Sequence, residues 1–92
     1  MRKFRKALKD FDKFLDNQLE VDWSDYQGYI TLDCTYLGQT TSSVLNKLNA
    51  IENINLIVDN TLVDDYDYLT IYLTNEALNT INDIVNRVCA EY

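Results

Sequence analysis

Residues 67–74 read "DYLTIYLT", and the alternation inside that stretch decides the fold. Leu69, Ile71 and Leu73 fall on one side of an extended chain and Tyr68, Thr70 and Tyr72 on the other, a period of two that belongs to a half-buried strand. Working backwards, "VDDYD" (63–67) places three carboxylates where a polar turn is expected. Before it, "NINLIVDN" (53–60) is apolar at Ile54, Leu56, Ile57 and Val58, which reads as a central strand buried on both faces. A second alternating stretch, "YITLDCTYL" (29–37), sets Ile30, Leu32, Cys34 and Tyr36 inward against Tyr29, Thr31, Asp33 and Thr35. The Cys34 thiol is therefore expected to be structural rather than reactive.

The remaining segments carry helical spacing. Phe4, Leu8, Phe11, Leu15 and Leu19 recur every three or four residues and predict an amphipathic helix from about Arg2 to Gln18. Val44, Leu45, Leu48 and Ile51 predict a helix of about three turns, capped by Thr41 or Ser42. Leu78, Ile81, Val85 and Val88, with Ala77 and Ile84 beside them, predict a last helix that starts at Thr74 or Asn75 and runs to the C-terminus. A short strand is expected at Val21 to Trp23, ahead of a Ser-Asp-Tyr-Gln-Gly turn. The expected class is α+β: a small three- or four-stranded antiparallel or mixed sheet with an N-terminal helix and two further helices, in the order α-β(β)-α-β-β-α. The strand, helix, strand, strand, helix portion resembles a ferredoxin-like split unit that lacks its final strand, a likeness of topology that implies no function.

With 92 residues, no proline and two glycines, the chain has little material for linkers, so residues 1–92 are expected to form one compact domain. Two cysteines, Cys34 and Cys89, are too few for a disulfide framework or a zinc site, which favours a reduced, cytoplasmic setting. The start "MRKFRKALKDFDKF" scatters charge where a signal peptide needs an apolar run.

Charge is unevenly spread. Residues 1–13 hold six cations against two acids, a net of +4, whereas residues 14–92 hold two cations against thirteen acids, a net of −11, giving −7 for the whole. An acidic body of this kind repels phosphate backbones and anionic membranes and attracts basic protein surfaces over roughly 8 Å, the Debye length at physiological salt. The cations lead the first helix and acids follow, against the helix dipole, and they are expected to dock on the protein's own acidic body.

Catalytic and ligand chemistry find little support. With no histidine, the commonest general base and metal ligand is missing, and neither cysteine has a base to activate it. Asp65, Asp67 and Glu76 mimic part of a calcium loop, but Leu69 and Thr70 stand where an oxygen ligand and a glycine are required. Gly28 and Gly38 are isolated and make no phosphate cradle. The chain is expected to be no enzyme, and no cofactor or metal is expected. Tyrosines on an open sheet can stack bases, yet here they sit among acids where such a platform needs cations, so no direct nucleic acid is expected on that face, any such contact running through the first helix. Tyrosine with carboxylates suits a protein interface instead. The candidate partner-binding residues are Tyr29, Asp33, Asp64, Asp65, Tyr66, Asp67, Tyr68 and Tyr72.

In length, acidity and lack of catalytic motifs, the chain resembles small acidic inhibitors encoded by phages and mobile elements, among them anti-CRISPR and other nucleic-acid-mimicking proteins. The likeness is one of composition and assigns no role to any single residue. It implies a non-enzymatic inhibitor or adaptor that binds a basic, nucleic-acid-binding site of another protein. Two alternatives stand beside it. One is a structural or regulatory homo-oligomer that pairs its Tyr/Thr sheet face. The other is an antitoxin-like regulator whose basic first helix touches DNA.

Overall fold

In the computed structural model, residues 2–19 and 28–90 are described. The strand and turn expected around Val21 to Trp23 lie outside them. Helix α1 spans Arg2–Phe14 and continues as a wider π turn over Leu15–Leu19. Strand β1 (Tyr29–Asp33) precedes helix α2 (Thr41–Asn49), and a 3-10 turn (Ile54–Leu56) leads into strand β2 (Val58–Val63). Strand β3 (Tyr68–Leu73) and helix α3 (Asn75–Ala90) follow. The expected α+β class and the approximate order of elements are both observed.

The sheet has the order β1-β3-β2, and both pairings are antiparallel. Strands β1 and β2, on either side of α2 in sequence, therefore run parallel to each other with β3 between them, the split β-α-β arrangement. Ile30, Leu32, Leu69, Ile71 and Leu73 point to one face and are buried, as their alternation requires. They join Phe4, Ala7, Leu8, Phe11, Phe14 and Leu15 of the first helix, Val44 and Leu48 of α2, Ile57, and Ala77 and Ile81 of α3 in a single core. All three helices thus serve the same side of the sheet. Ala7 and Phe14 widen the α1 stripe beyond its sequence reading, with the Phe14 ring stacked 6.3 Å from that of Phe11.

Two expectations need correction. "NINLIVDN" is not a central strand. Asn53 adopts a left-handed φ of 61°, and the amides of Leu56 and Ile57 donate back to the carbonyls of Asn53 (3.0 Å) and Ile54 (2.9 Å). These local bonds curl the apolar run into a turn that drops Ile57 into the core and lies against α1. Strand β2 begins only at Val58 and forms a sheet edge, with Asp59, Asn60, Leu62 and Val63 exposed. The central strand is β3.

Tyr36, placed on the inward set by alternation, is instead 87% exposed. The strand stops at Asp33 because its carboxylate Oδ1 accepts the Tyr36 amide at 3.1 Å and its carbonyl accepts that of Leu37 at 3.3 Å. An aspartate that closes a turn on the backbone two to three residues ahead ends the extended conformation.

The helix starts follow from caps. Thr40, one residue before the expected position, accepts the Ser43 amide through Oγ1 at 3.1 Å. Thr74 caps α3 as expected: its Oγ1 accepts the Ala77 amide at 3.2 Å and donates to the Leu56 carbonyl at 2.8 Å. One hydroxyl therefore fastens the start of α3 to the 3-10 turn.

Candidate protein-binding face

Residues directly opposite in an antiparallel pair point to the same side, so the register fixes what the face away from the helices displays. One cross-strand row is Tyr29, Tyr72 and Asn60; the next is Thr31, Thr70 and Leu62. The third pairs Asp33 with Tyr68, and Asp64 closes it by donating its amide to the Tyr68 carbonyl at 3.2 Å. Tyr29 is 52% exposed, Leu62 54% and Tyr68 39%, with Tyr72 and Thr70 half-buried by their neighbours. The Tyr29 and Tyr72 rings lean on each other at 5.7 Å, and the Thr31 and Thr70 hydroxyls meet at 3.3 Å. The face is consequently ordered by cross-strand contacts and is open to solvent.

At one end of this face stands the β2–β3 hairpin. The four residues between its strands, Asp64 to Asp67, make a tight turn that ends on Asp67 at φ 63°. The Asp64 carboxylate holds it: Oδ1 accepts the amides of Tyr66 (2.8 Å) and Tyr68 (3.1 Å). The Asp67 carbonyl accepts the Cys34 amide at 3.4 Å, which ties the loop to the turn after β1. Asp33, Asp64, Asp65 and Asp67 are thereby gathered with Tyr36, Tyr66 and Tyr68 at one end of the sheet. None of the four carboxylates is ion-paired to a described residue. Their field is felt locally: the buried Cys34 thiol is held above its ordinary pKa, first by burial and then by the charges of Asp33 and Asp67.

Of the eight residues singled out in sequence, six therefore cluster at this end. Tyr29 and Tyr72 form a separate row at the other end of the face. Asp33 and Asp64 each spend one carboxylate oxygen on the backbone, whereas Asp65 and Asp67 project from the loop with exposed side chains. Sequence reasoning missed two members. Tyr36 was hidden by the apparent continuation of β1, although an aspartate three residues before it was a turn signal. Leu62 was hidden by the misplaced strand and by a register shift between Val58 and Asn60: Val58 pairs with the inward Leu73, whereas Asn60 and Leu62 pair with the outward Tyr72 and Thr70.

Carboxylates and phenols converge here without a histidine or a buried acid to move protons. Among the described residues, no group of three His, Cys, Asp or Glu side chains is placed to hold a metal ion. An open groove of about 240 Å³ lined by Asn49, Ile54, Asn55 and residues 58–61 lies at the far end of β2. Among the described residues, no helix is long and apolar enough to cross a membrane.

No protein-family model, curated protein or solved structure matches the chain.

Proposed function

We propose that the chain is a non-enzymatic inhibitor or adaptor that uses its open sheet face and acidic hairpin end to occupy a basic, nucleic-acid-binding site on another protein. The observation that carries this reading is the juxtaposition of exposed tyrosines with carboxylates that form no ion pair among the described residues: Tyr36, Tyr66 and Tyr68 stand beside Asp33, Asp64, Asp65 and Asp67. In such a complex the carboxylates take the positions of phosphates, and the tyrosines with Leu62 bury flat area between them. A basic partner is favoured because an acidic or neutral surface would leave four carboxylates desolvated and unpaired.

The test uses the immobilised chain beside two double variants, Asp65→Asn with Asp67→Asn, and Tyr29→Ala with Tyr72→Ala. A bacterial lysate is applied, and retained proteins are challenged with nucleic acid. The expected result is a basic protein that the parent retains, that nucleic acid displaces, and that both variants hold less well. A retained protein indifferent to nucleic acid, or held equally by both variants, removes the proposal. Self-pairing of the Tyr/Thr face is the second reading, favoured by the exposure of Leu62 on an edge strand. It predicts a dimer that persists from about 50 mM to about 500 mM salt, because apolar contacts are not screened.

A further inference from the structure

Helix α1 docks through Phe4, Ala7, Leu8, Phe11 and Phe14, all buried, and this leaves its cations facing away from the body rather than onto it. At about 100° per residue, Arg2, Arg5, Lys6, Lys9 and Lys13 fall within an arc of about 100°, centred opposite the buried stripe. Each of the five is exposed. Lys6 is paired to Asp10 on the same helix at 2.8 Å, and the Lys6 side chain remains 65% exposed. From Arg2 to Lys13 the helix advances by about 16 Å at about 1.5 Å per residue. Along the axis Arg2, Arg5, Lys9 and Lys13 follow one another at about 4.5 to 6 Å, wider than the axial spacing of about 3.4 Å between phosphates on one strand of a duplex, a difference that their long, flexible side chains take up. The order of charge also argues for a task. The first turn of α1 holds no acid and begins with Arg2, Lys3 and Arg5, the sign that the positive end of the helix dipole disfavours. Helix stability therefore does not account for these residues.

From this geometry we infer that the outer face of α1 binds a nucleic-acid backbone, independently of sequence, with Arg2, Arg5, Lys9 and Lys13 on successive phosphates. The stripe lies on the helical layer and the candidate protein-binding face on the opposite side of the sheet. The two surfaces carry opposite charge and are available together. A duplex fits this stripe better than an anionic bilayer does, because a bilayer takes up an amphipathic helix through its apolar face, and here that face is the core. The inference does not depend on the reading of the sheet face, since the variants expected to weaken duplex binding lie on α1 alone.

The full-length chain is titrated into a labelled 20-base-pair DNA duplex, by fluorescence anisotropy, at about 50 mM and about 200 mM salt. Four phosphate contacts predict an affinity loss of about a hundredfold between those conditions. The double variant Arg5→Glu with Lys9→Glu should lose binding at least tenfold at the lower salt and flatten the salt slope by about two. A second variant, Arg2→Glu with Arg5→Glu, separates binding from folding, because acids in the first turn favour the helix dipole. It should melt no lower than the parent and still bind more weakly. The double variant Asp65→Asn with Asp67→Asn should bind the duplex as tightly as the parent or more so. The inference is overturned by no measurable binding at about 50 mM salt, or by binding that the α1 variants leave intact. Retention on anionic vesicles without duplex binding also overturns it.

Discussion

Asp67 sits in the left-handed region at φ 63°, a conformation that L-residues with short polar side chains tolerate and β-branched ones do not. Replacing it with glycine should leave stability unchanged or slightly raised, and replacing it with valine should cost about 1 to 2 kcal/mol, both read by urea denaturation. Asp64 has a different task in the same loop. Its Oδ1 serves the amides of Tyr66 and Tyr68, so Asp64→Ala should cost about 1 kcal/mol while Asp64→Asn, which keeps an acceptor, should cost much less. If Asp64→Ala proves neutral in the same titration, the carboxylate is not what closes the loop. Cys34 offers a pH test of the local field. Its thiol pKa is raised in the folded chain, so its contribution is present in full below the unfolded value of about 8.5 and is lost as pH climbs through the folded value. As pH rises above the unfolded value, stability should fall more in the parent than in Cys34→Ala, and iodoacetamide labelling, followed peptide by peptide, should reach Cys34 slowly until the chain unfolds. At this scale the sequence was legible in kind. It marked the acidic, tyrosine-rich turn, but it could not separate the carboxylate that builds the loop from those the loop displays. That distinction depends on which oxygen faces which amide.

Among the elements, β1 and β3 were readable because strict alternation admits one face only, and Ile30, Leu32, Leu69 and Ile71 are all buried. The first helix was readable for the same reason at a different period. Residues 53–60 were not, because a continuous apolar run fits a buried strand and a buried turn equally well. The deciding event is the left-handed Asn53, a single backbone choice that starts the 3-10 turn and moves β2 to the edge of the sheet. What fixes that arrangement is Thr74, whose side chain and amide reach Leu56 (2.8 Å) and Ile57 (2.9 Å) from the start of α3. Thr74→Val removes both the cap and the hydroxyl donor while keeping the shape, and should cost about 1 to 2 kcal/mol in chemical denaturation. Thr74→Ser keeps both bonds and should cost less than half as much. Equal losses for the two would show that packing of the threonine methyl, not the hydroxyl, holds α3 against the 3-10 turn.

For the whole molecule, the sequence placed the charges along the chain and the fold sets where they point. Six of the eight cations lie in residues 2–13, and five of them form the outward stripe of α1. Four acids meet at the hairpin end of the sheet. Neither grouping follows from composition: Asp33 joins Asp64, Asp65 and Asp67 only through the β1–β3 register and the amide of Cys34. Bringing like charges together carries a cost in the folded state that the unfolded chain avoids, and that cost is sensitive to salt. The Debye length falls from about 30 Å at 0.01 M salt to about 8 Å at 0.15 M. The melting temperature should therefore rise by a few degrees over that range. Neutralising Asp65 and Asp67 to asparagine should raise the melting temperature at low salt and reduce its further rise, because the repulsion being screened has been removed at its source. The opposite sign, a parent that loses stability as salt is added, would mean that attraction between α1 and the acidic surface outweighs repulsion at the hairpin. The cations would then be docking on their own body after all. A melt that rises with salt, and rises less in the neutralised variant, shows that the charges of Asp65 and Asp67 cost the folded chain stability through repulsion at the hairpin, a cost separate from the turn-closing bonds that Asp33 and Asp64 make.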